Sequence, residues 1–309
     1  MANPQWGKVV DARFSAKKEL TMSVNEIAVF VSSSDAYSDI WPAFFALLKR
    51  EWPEYRGTIY LNTETLEYAH DGLNIVCTKQ GNQHRFGAFF LHGVECVEGE
   101  RFLLFMIDYF LEGRVDVNAL QSIYEIFCND GADTFTLALQ PQGVLIPLES
   151  SSRYARLDNR ASWRIAFSFQ VAFWKKESLR KIVATWEDPW RAEYFGSRRV
   201  GLSDMKFYLL TDYADKPIKY DESGVLHGGG KWLDSAIAKI DLEGIPIDIS
   251  ASQRGHYNEQ AFSLLNFVLG ELRCLPLKAL SWLSIIKDNP MAIRLLLDDV
   301  MRRVRKLWA

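Results

Sequence analysis

In Arg101-Phe102-Leu103-Leu104-Phe105-Met106-Ile107-Asp108-Tyr109-Phe110-Leu111, a wholly apolar run is stopped by a single carboxylate. A run of this kind, with no polar alternation, reads as a strand buried on both faces. Upstream, the pattern predicts strands at 26–32, 58–62 and 73–77. It also predicts a helix at 40–52 with Trp41, Phe44, Phe45, Leu48 and Trp52 on one face, and a helix at 86–97 weakened by two glycines. Downstream comes a helix at 115–130 that presents Leu120, Ile123, Tyr124 and Phe127, then strands at 134–139 and 144–147. The polar stretch 149–162 reads as a surface loop and the aromatic stretch 162–174 as a strand, followed by a Lys-rich helix at 176–184 and a strand at 207–210. Strands alternating with helices in this order predict an α/β fold, a mostly parallel central sheet flanked by helices.

The last fifty residues follow a different pattern. Positions 262–286 are apolar nearly all round, with Pro276 as a break. Over 291–308, Ile293, Leu296, Leu297, Val300, Val304, Leu307 and Trp308 recur at helical spacing, with Arg294, Arg302, Arg303, Arg305 and Lys306 on the other face. The division predicted is therefore a catalytic-type domain over 1–256 and a helical C-terminal extension over 257–309. A basic amphipathic helix fits the surface of an anionic bilayer, and it equally fits packing on the main domain or on a partner helix.

At 309 residues, 48% hydrophobic and 13% aromatic, the chain can bury one large core. A net charge of −3 argues against a whole-surface nucleic-acid binder, so no nucleic-acid partner is expected. Cys77, Cys96, Cys128 and Cys274 are dispersed without C-x-x-C spacing and read as thiols in a reducing compartment. The N-terminal residues lack the basic-then-apolar pattern of a signal peptide, and no stretch of about 18 apolar residues is present. A cytoplasmic protein with at most peripheral contact at the inner face of the cytoplasmic membrane is expected.

Candidate chemistry gathers at three places. Asp108 stands at the carboxyl end of the buried run, where open α/β sheets bind ligands, although an Asp there can also cap the next turn. Ser32, Ser33, Ser34, Asp35 and Tyr37 follow the first strand, either as donors to a nucleotide or as an ordinary N-cap run. Trp186-Glu187-Asp188-Pro189-Trp190, with Glu193 close behind, sets carboxylates among aromatic rings. That combination suits a sugar, and Asp188-Pro189 also suits the N-cap and first position of a helix. Gly228-Gly229-Gly230-Lys231 permits close approach to a phosphate but lacks both P-loop and dinucleotide spacing, so a plain turn fits as well.

Taken in order, Ser33-Ser34-Asp35-Ala36-Tyr37-Ser38-Asp39-Ile40-Trp41, Tyr60-Leu61-Asn62-Thr63-Glu64, Ile107-Asp108-Tyr109-Phe110-Leu111, Gln170-Val171-Ala172-Phe173-Trp174 and Glu187-Asp188-Pro189-Trp190 resemble a family of bacterial polysaccharide glycosyltransferases with a GT-A type fold, active in lipopolysaccharide or capsule assembly. The late Gly228-Gly229-Gly230-Lys231-Trp232 also fits, and the resemblance covers about 26–256. It implies a nucleotide-sugar donor held by the loop after the first strand, Asn62 and Lys231, and a glycan or lipid-linked acceptor near Trp186 and Trp190. It also implies a divalent metal, Mn²⁺ or Mg²⁺, held through Asp108 against the donor diphosphate. Relatives carry two acids before Tyr-Phe-Leu, whereas Ile107 precedes Asp108 here, so Lys231 or Arg254 is an alternative source of positive charge. The expected reaction is displacement at the anomeric carbon, probed with Asp188 as first choice of base and Glu187 and Glu193 behind it. A contrasting expectation from the missing acid and the long tail is a catalytically weakened, transferase-like glycan-binding or scaffold protein at the membrane.

Overall fold

The computed structural model describes residues 22–81, 85–140, 142–148, 151–227, 230–245, 254–257 and 264–307. Its centre is a nine-stranded sheet built from β1 (Val29–Ser32), β2 (Thr58–Leu61), β3 (Asn74–Cys77), β4 (Arg101–Met106), β5 (Thr134–Thr136), β6 (Leu145–Leu148), β7 (Ser151–Leu157), β8 (Ala172–Lys175) and β9 (Phe207–Leu210). The spatial order is β3-β2-β1-β4-β8-β5-β9-β7-β6. Only β8 and β7 run antiparallel to both of their neighbours, so the other seven strands point the same way. The expected α/β architecture is the one observed.

Side-chain alternation along the central strands divides the core into two layers. Val29 and Val31 of β1 and Leu103 and Phe105 of β4 point into a layer shared with helices α1 (Trp41–Glu51) and α3 (Val117–Asn129). Phe30, Phe102 and Leu104 point the other way, into a layer shared with α2 (Phe86–Cys96), α4 (Lys176–Ile182) and α5 (Pro189–Gly201). Both faces being covered explains why the β4 run has no polar alternation. A small hairpin of β10 (Leu226–His227) and β11 (Lys231–Trp232) and the helix α6 (Asp234–Glu243) follow the sheet.

Two local expectations need correction. The stretch read as a polar loop over 149–162 contains β7, whose Ser152, Arg153 and Arg156 are exposed while Tyr154, Ala155 and Leu157 are buried. Pairing with β9 and β6 makes it a strand despite its polarity. The aromatic run over 162–174 is a strand only in β8. Before it, Trp163, Phe167 and Phe169 are buried outside any strand, and Phe167 fits against the side of α5 that carries only Gly196.

The C-terminal helices α7 (Leu264–Asp288) and α8 (Ala292–Leu307) lie against α5. Ile285 and Ala292 pack on Phe195, and Arg198 of α5 forms an ion pair with Asp299 of α8. The predicted boundary at 256/257 adjoins residues 258–263, which lie outside the described residues.

Candidate functional site

From β1 the chain builds the sheet in one direction through β2 to β3, then returns to place β4 on the opposite side of β1. The connections leaving β1 and β4 therefore diverge beyond their carboxyl ends, as at the switch points where open sheets take ligands. Ser32 pairs with Met106 across that junction, so the Ser-rich loop and Asp108 leave the sheet at the same level.

The loop after β1 is tightly fastened. Ser32 and Ser33 are buried, and the Ser33 hydroxyl accepts a 2.7 Å hydrogen bond from the Trp41 indole. Ser34 stands in extended backbone ahead of a 3₁₀ turn, Asp35–Tyr37. Asp35 reaches across to the loop after β2, where it accepts from the backbone N–H of Glu64 (3.0 Å), Thr65 (2.9 Å) and Leu66 (3.2 Å) and from the Thr65 hydroxyl (2.7 Å). Burial raises its pKa, but the hydrogen bonds from Thr65, Glu64 and Leu66 outweigh that and hold it below the ordinary value. Asn62 is fully buried, donates to the Phe89 carbonyl at 3.2 Å and accepts from the Thr78 hydroxyl at 3.0 Å. Asp35 and Asn62 thus hold the loops after β1, β2 and β3 together, and neither has its polar atoms idle.

Asp108 stands just beyond the end of β4. Ile107, just before it, is 3% exposed and belongs to the core, so that side chain turns into the protein and Asp108 turns to the edge. Burial pushes the Asp108 carboxyl up to about 6, although the side chain keeps part of its surface open. The segment 221–225 lies directly against it: Val225 N–H donates to the Asp108 carbonyl at 2.9 Å. At Gly224 (φ +77°) a Cβ would stand 2.8 Å from Asp108 Oδ2. Glycine at 224 is what allows the backbone to close on the carboxylate in this left-handed conformation.

Behind Asp108 lies a polar network that sequence patterning missed. Gln170 Nε2 donates to the Tyr109 hydroxyl (3.1 Å) and the Glu222 carbonyl (3.2 Å), while its Oε1 accepts from the Tyr220 hydroxyl (2.9 Å). The buried Lys216 pairs with Glu222 at 2.8 Å and places its ammonium 3.5 Å from the Tyr220 ring centre. Gln170 was visible only as the start of a motif. Lys216 carried no signal, because its partners Tyr220 and Glu222 follow in an irregular segment that writes no period into the sequence.

The two candidate cations differ. Arg254 binds Asp39 through two nitrogens, donates to the carbonyls of Ala36 and Gly230, and stacks 4.9 Å from the Tyr37 ring centre. Its guanidinium therefore ties the loop after β1 to the β10–β11 hairpin. The Tyr37 hydroxyl is raised by burial and then by the charge of Asp108, which places the two in one electrostatic environment. Lys231 lies in β11 opposite His227 and is half-buried.

The three proposed catalytic acids separate clearly. Glu187 is 0% exposed, receives Arg199 through both oxygens (2.6 and 2.9 Å) and accepts from the Ser281 hydroxyl at 2.7 Å. Fully buried and with both oxygens hydrogen-bonded, it presents no surface of its own. Asp188 caps α5, accepting from the Arg191 N–H at 2.8 Å and pairing with the Arg191 guanidinium. Glu193 instead turns toward Asp108's neighbourhood. Its Oε1 accepts from Phe169 N–H at 2.8 Å, burial raises its pKa, and its charge acts with that of Asp108 on the Tyr109 hydroxyl. Trp186 is half-buried, its indole donating to Ser281 at 2.9 Å, whereas Trp190 is 73% exposed.

Among the described residues, no three His, Cys, Asp or Glu side chains form a group that could hold a metal. Asp108 offers one carboxylate, so a Mn²⁺ or Mg²⁺ ion there needs its remaining oxygens from ligand phosphates and water, an arrangement Mg²⁺ commonly adopts. The residues fit a metal shared with a diphosphate and do not fit a cage made of protein alone. Among the described residues, no helix is long and apolar enough to cross a membrane.

No family profile matches the sequence, and no curated protein matches it significantly. Among solved structures, the chain is similar to residues 1–349 of S. aureus TarS, with 13% identity, a TM-score of 0.42 and coverage of 63% of this chain and 59% of that one. It spans 36% of a longer TarS chain. It is also similar to UDP-glucose pyrophosphorylase complexed with UDP-glucose, with 8% identity, a TM-score of 0.39 and coverage of 63% and 91%. The bifunctional IspDF of Campylobacter jejuni shares 12% identity, a TM-score of 0.36 and coverage of 62% and 51%. Likenesses of this size assign neither an activity nor a site residue.

Proposed function

We propose that the chain is a glycosyltransferase with a GT-A-like domain, moving a sugar from a nucleotide-sugar donor to a glycan or lipid-linked acceptor in bacterial surface polysaccharide assembly. The observation that carries this is Asp108: an acid at the sheet's switch point, beside the serine-rich loop and backed by a fully bonded polar network. Ser32 to Tyr37 and Asn62 shape the donor side, and Asp108 receives the diphosphate end, where a bound Mn²⁺ or Mg²⁺ would offset the leaving group's growing negative charge. Lys231, in β11, is the candidate for a further positive charge on the donor.

On the acceptor side Glu193 takes the role of base in place of Asp188 and Glu187. It is the one of the three whose charge reaches the Tyr109–Asp108 environment while only one oxygen carries a hydrogen bond among the described residues. The acceptor hydroxyl passes its proton to the Glu193 carboxylate as its oxygen bonds to the anomeric carbon. The bond from that carbon to the diphosphate breaks, and the electron pair leaves with the nucleoside diphosphate. Attack opposite the leaving group inverts the anomeric centre. Trp190, the exposed ring of the pair, is the acceptor platform, while Trp186 is held by Ser281 of α7.

The test is a panel of nucleotide sugars assayed for binding and turnover, with and without Mn²⁺. One nucleoside diphosphate should bind, and Asp108→Asn should lower turnover about 10²–10³-fold, as when a charge-stabilising contact is removed. If no nucleotide binds the wild-type chain, the transferase assignment fails and the glycan-binding scaffold is left.

A further inference from the structure

We infer that the outward face of α8, continued at its junction with α7, is a docking surface for an anionic lipid bilayer. The observation is the direction in which α8 is docked. A helix with one apolar and one basic side ordinarily buries the apolar side. Here the inward contact is polar: Asp299, 8% exposed, accepts from Arg198 Nη2 at 2.6 Å and Nε at 3.1 Å and from the Tyr194 hydroxyl. Ala292 is the small apolar residue buried beside it.

The apolar stripe faces water instead. Ile293, Leu297, Val300 and Met301, at i, i+4, i+7 and i+8, are 49%, 58%, 47% and 51% exposed, and Met291 and Leu283 at the junction are each 64% exposed. Eight of the fifteen large hydrophobic residues left exposed among the described residues fall between 275 and 301. Soluble surfaces seldom gather apolar side chains in this way without a partner.

Charge identifies the partner. The segment Ala292–Leu307 contains Arg294, Arg302, Arg303, Arg305 and Lys306 against Asp298 and Asp299, a net of +3, whereas the whole chain is −3 and the remainder therefore −6. Since Asp299 is neutralised by Arg198, the cations have little acidic competition on their own helix. Arg294, Arg302 and Arg305 are exposed. An apolar stripe bordered by arginines lies in the headgroup layer of an anionic membrane, its apolar side in the acyl boundary and its cations on lipid phosphates. A second copy of the chain would bring the same positive charge to the same face and be repelled. This surface stands independently of the transferase assignment.

Co-sedimentation of the full chain with phosphatidylcholine vesicles, with and without phosphatidylglycerol, tests the proposal. Sedimentation should require phosphatidylglycerol and fall at high salt. The pair Arg302→Gln and Arg305→Gln should weaken partitioning about fivefold per charge removed, and Ile293→Asp with Leu297→Asp should abolish it. All four positions are exposed, so the thermal midpoint should be unchanged; should the apolar pair unfold, the arginine pair and the lipid dependence decide. Equal sedimentation on both vesicle types, none on either, or a dimer dissolved by Leu297→Asp would each overturn the proposal.

Discussion

Asp108 has an ordinary unfolded value of 3.8 and a folded value pushed up to about 6 by burial. The sign of the linkage follows directly. Between those two values the folded chain binds the proton more tightly than the unfolded chain, so stability falls as pH rises through this window and the full penalty is present above about 6. Asp108→Asn should therefore raise stability at neutral pH by about 1–3 kcal/mol and flatten its pH dependence in the window, as read by urea unfolding. Catalysis should move the opposite way: turnover by the wild type should decline below about 6 as the carboxylate takes up its proton, and a profile flat across that range would count against an ionised Asp108. Much of this was readable beforehand, because an uncharged run ending on one acid is a local pattern. Gln170 was not readable as a site residue, since Tyr109 and Tyr220 lie tens of positions away and only folding brings them to it; Lys216 was not, because its nearby partner Glu222 sits in an irregular segment with no period.

At the level of elements, α5 separates two roles that its sequence superimposed. Asp188 was legible as an N-cap followed by Pro189, and the structure uses it in that way. Asp188→Ala should cost about 1 kcal/mol of stability while leaving turnover within a few-fold, whereas Glu193→Gln should remove turnover with the unfolding midpoint held nearly constant. A reversal of these two outcomes would return the base to Asp188. Helices α1 and α3 and strand β4 were legible because burial on a defined face writes a period into the residues. Strand β7 was not: near the rim of the sheet half of its residues face water, and its pairing with β6 and β9 outweighs its weak intrinsic pattern. The aromatics at 163, 167 and 169 misled for the opposite reason, since they are buried by α5 without belonging to a strand.

For the whole molecule, buried polar contacts join the C-terminal helices to the sheet domain at α5. The Ser281 hydroxyl of α7 donates to Glu187, which pairs with Arg199 of α5, and Asp299 of α8 pairs with Arg198 beside it. Asp299→Ala would take the carboxylate away from the Arg198 guanidinium, 2% exposed, while its bond to the Tyr194 carbonyl stays. It should cost about 3–5 kcal/mol and make α8 the first site of limited proteolysis; wild-type protection in the variant would show that the apolar contacts suffice. The overall α/β plan was legible from the alternation of elements, while the docking direction of α8 was not, because its amphipathic pattern favours the apolar side and a single buried aspartate reverses it.

Arg254 sits 215 positions from Asp39, yet the pair, with the carbonyls of Ala36 and Gly230, ties the loop after β1 to the β10–β11 hairpin. During synthesis on the ribosome, β1 to β9 can emerge and assemble while this clasp does not yet exist. Nascent chains shorter than 254 residues would thus carry a formed sheet without this tie, and the loop after β1 would be fastened to the β10–β11 hairpin in one step, only once Arg254 has emerged.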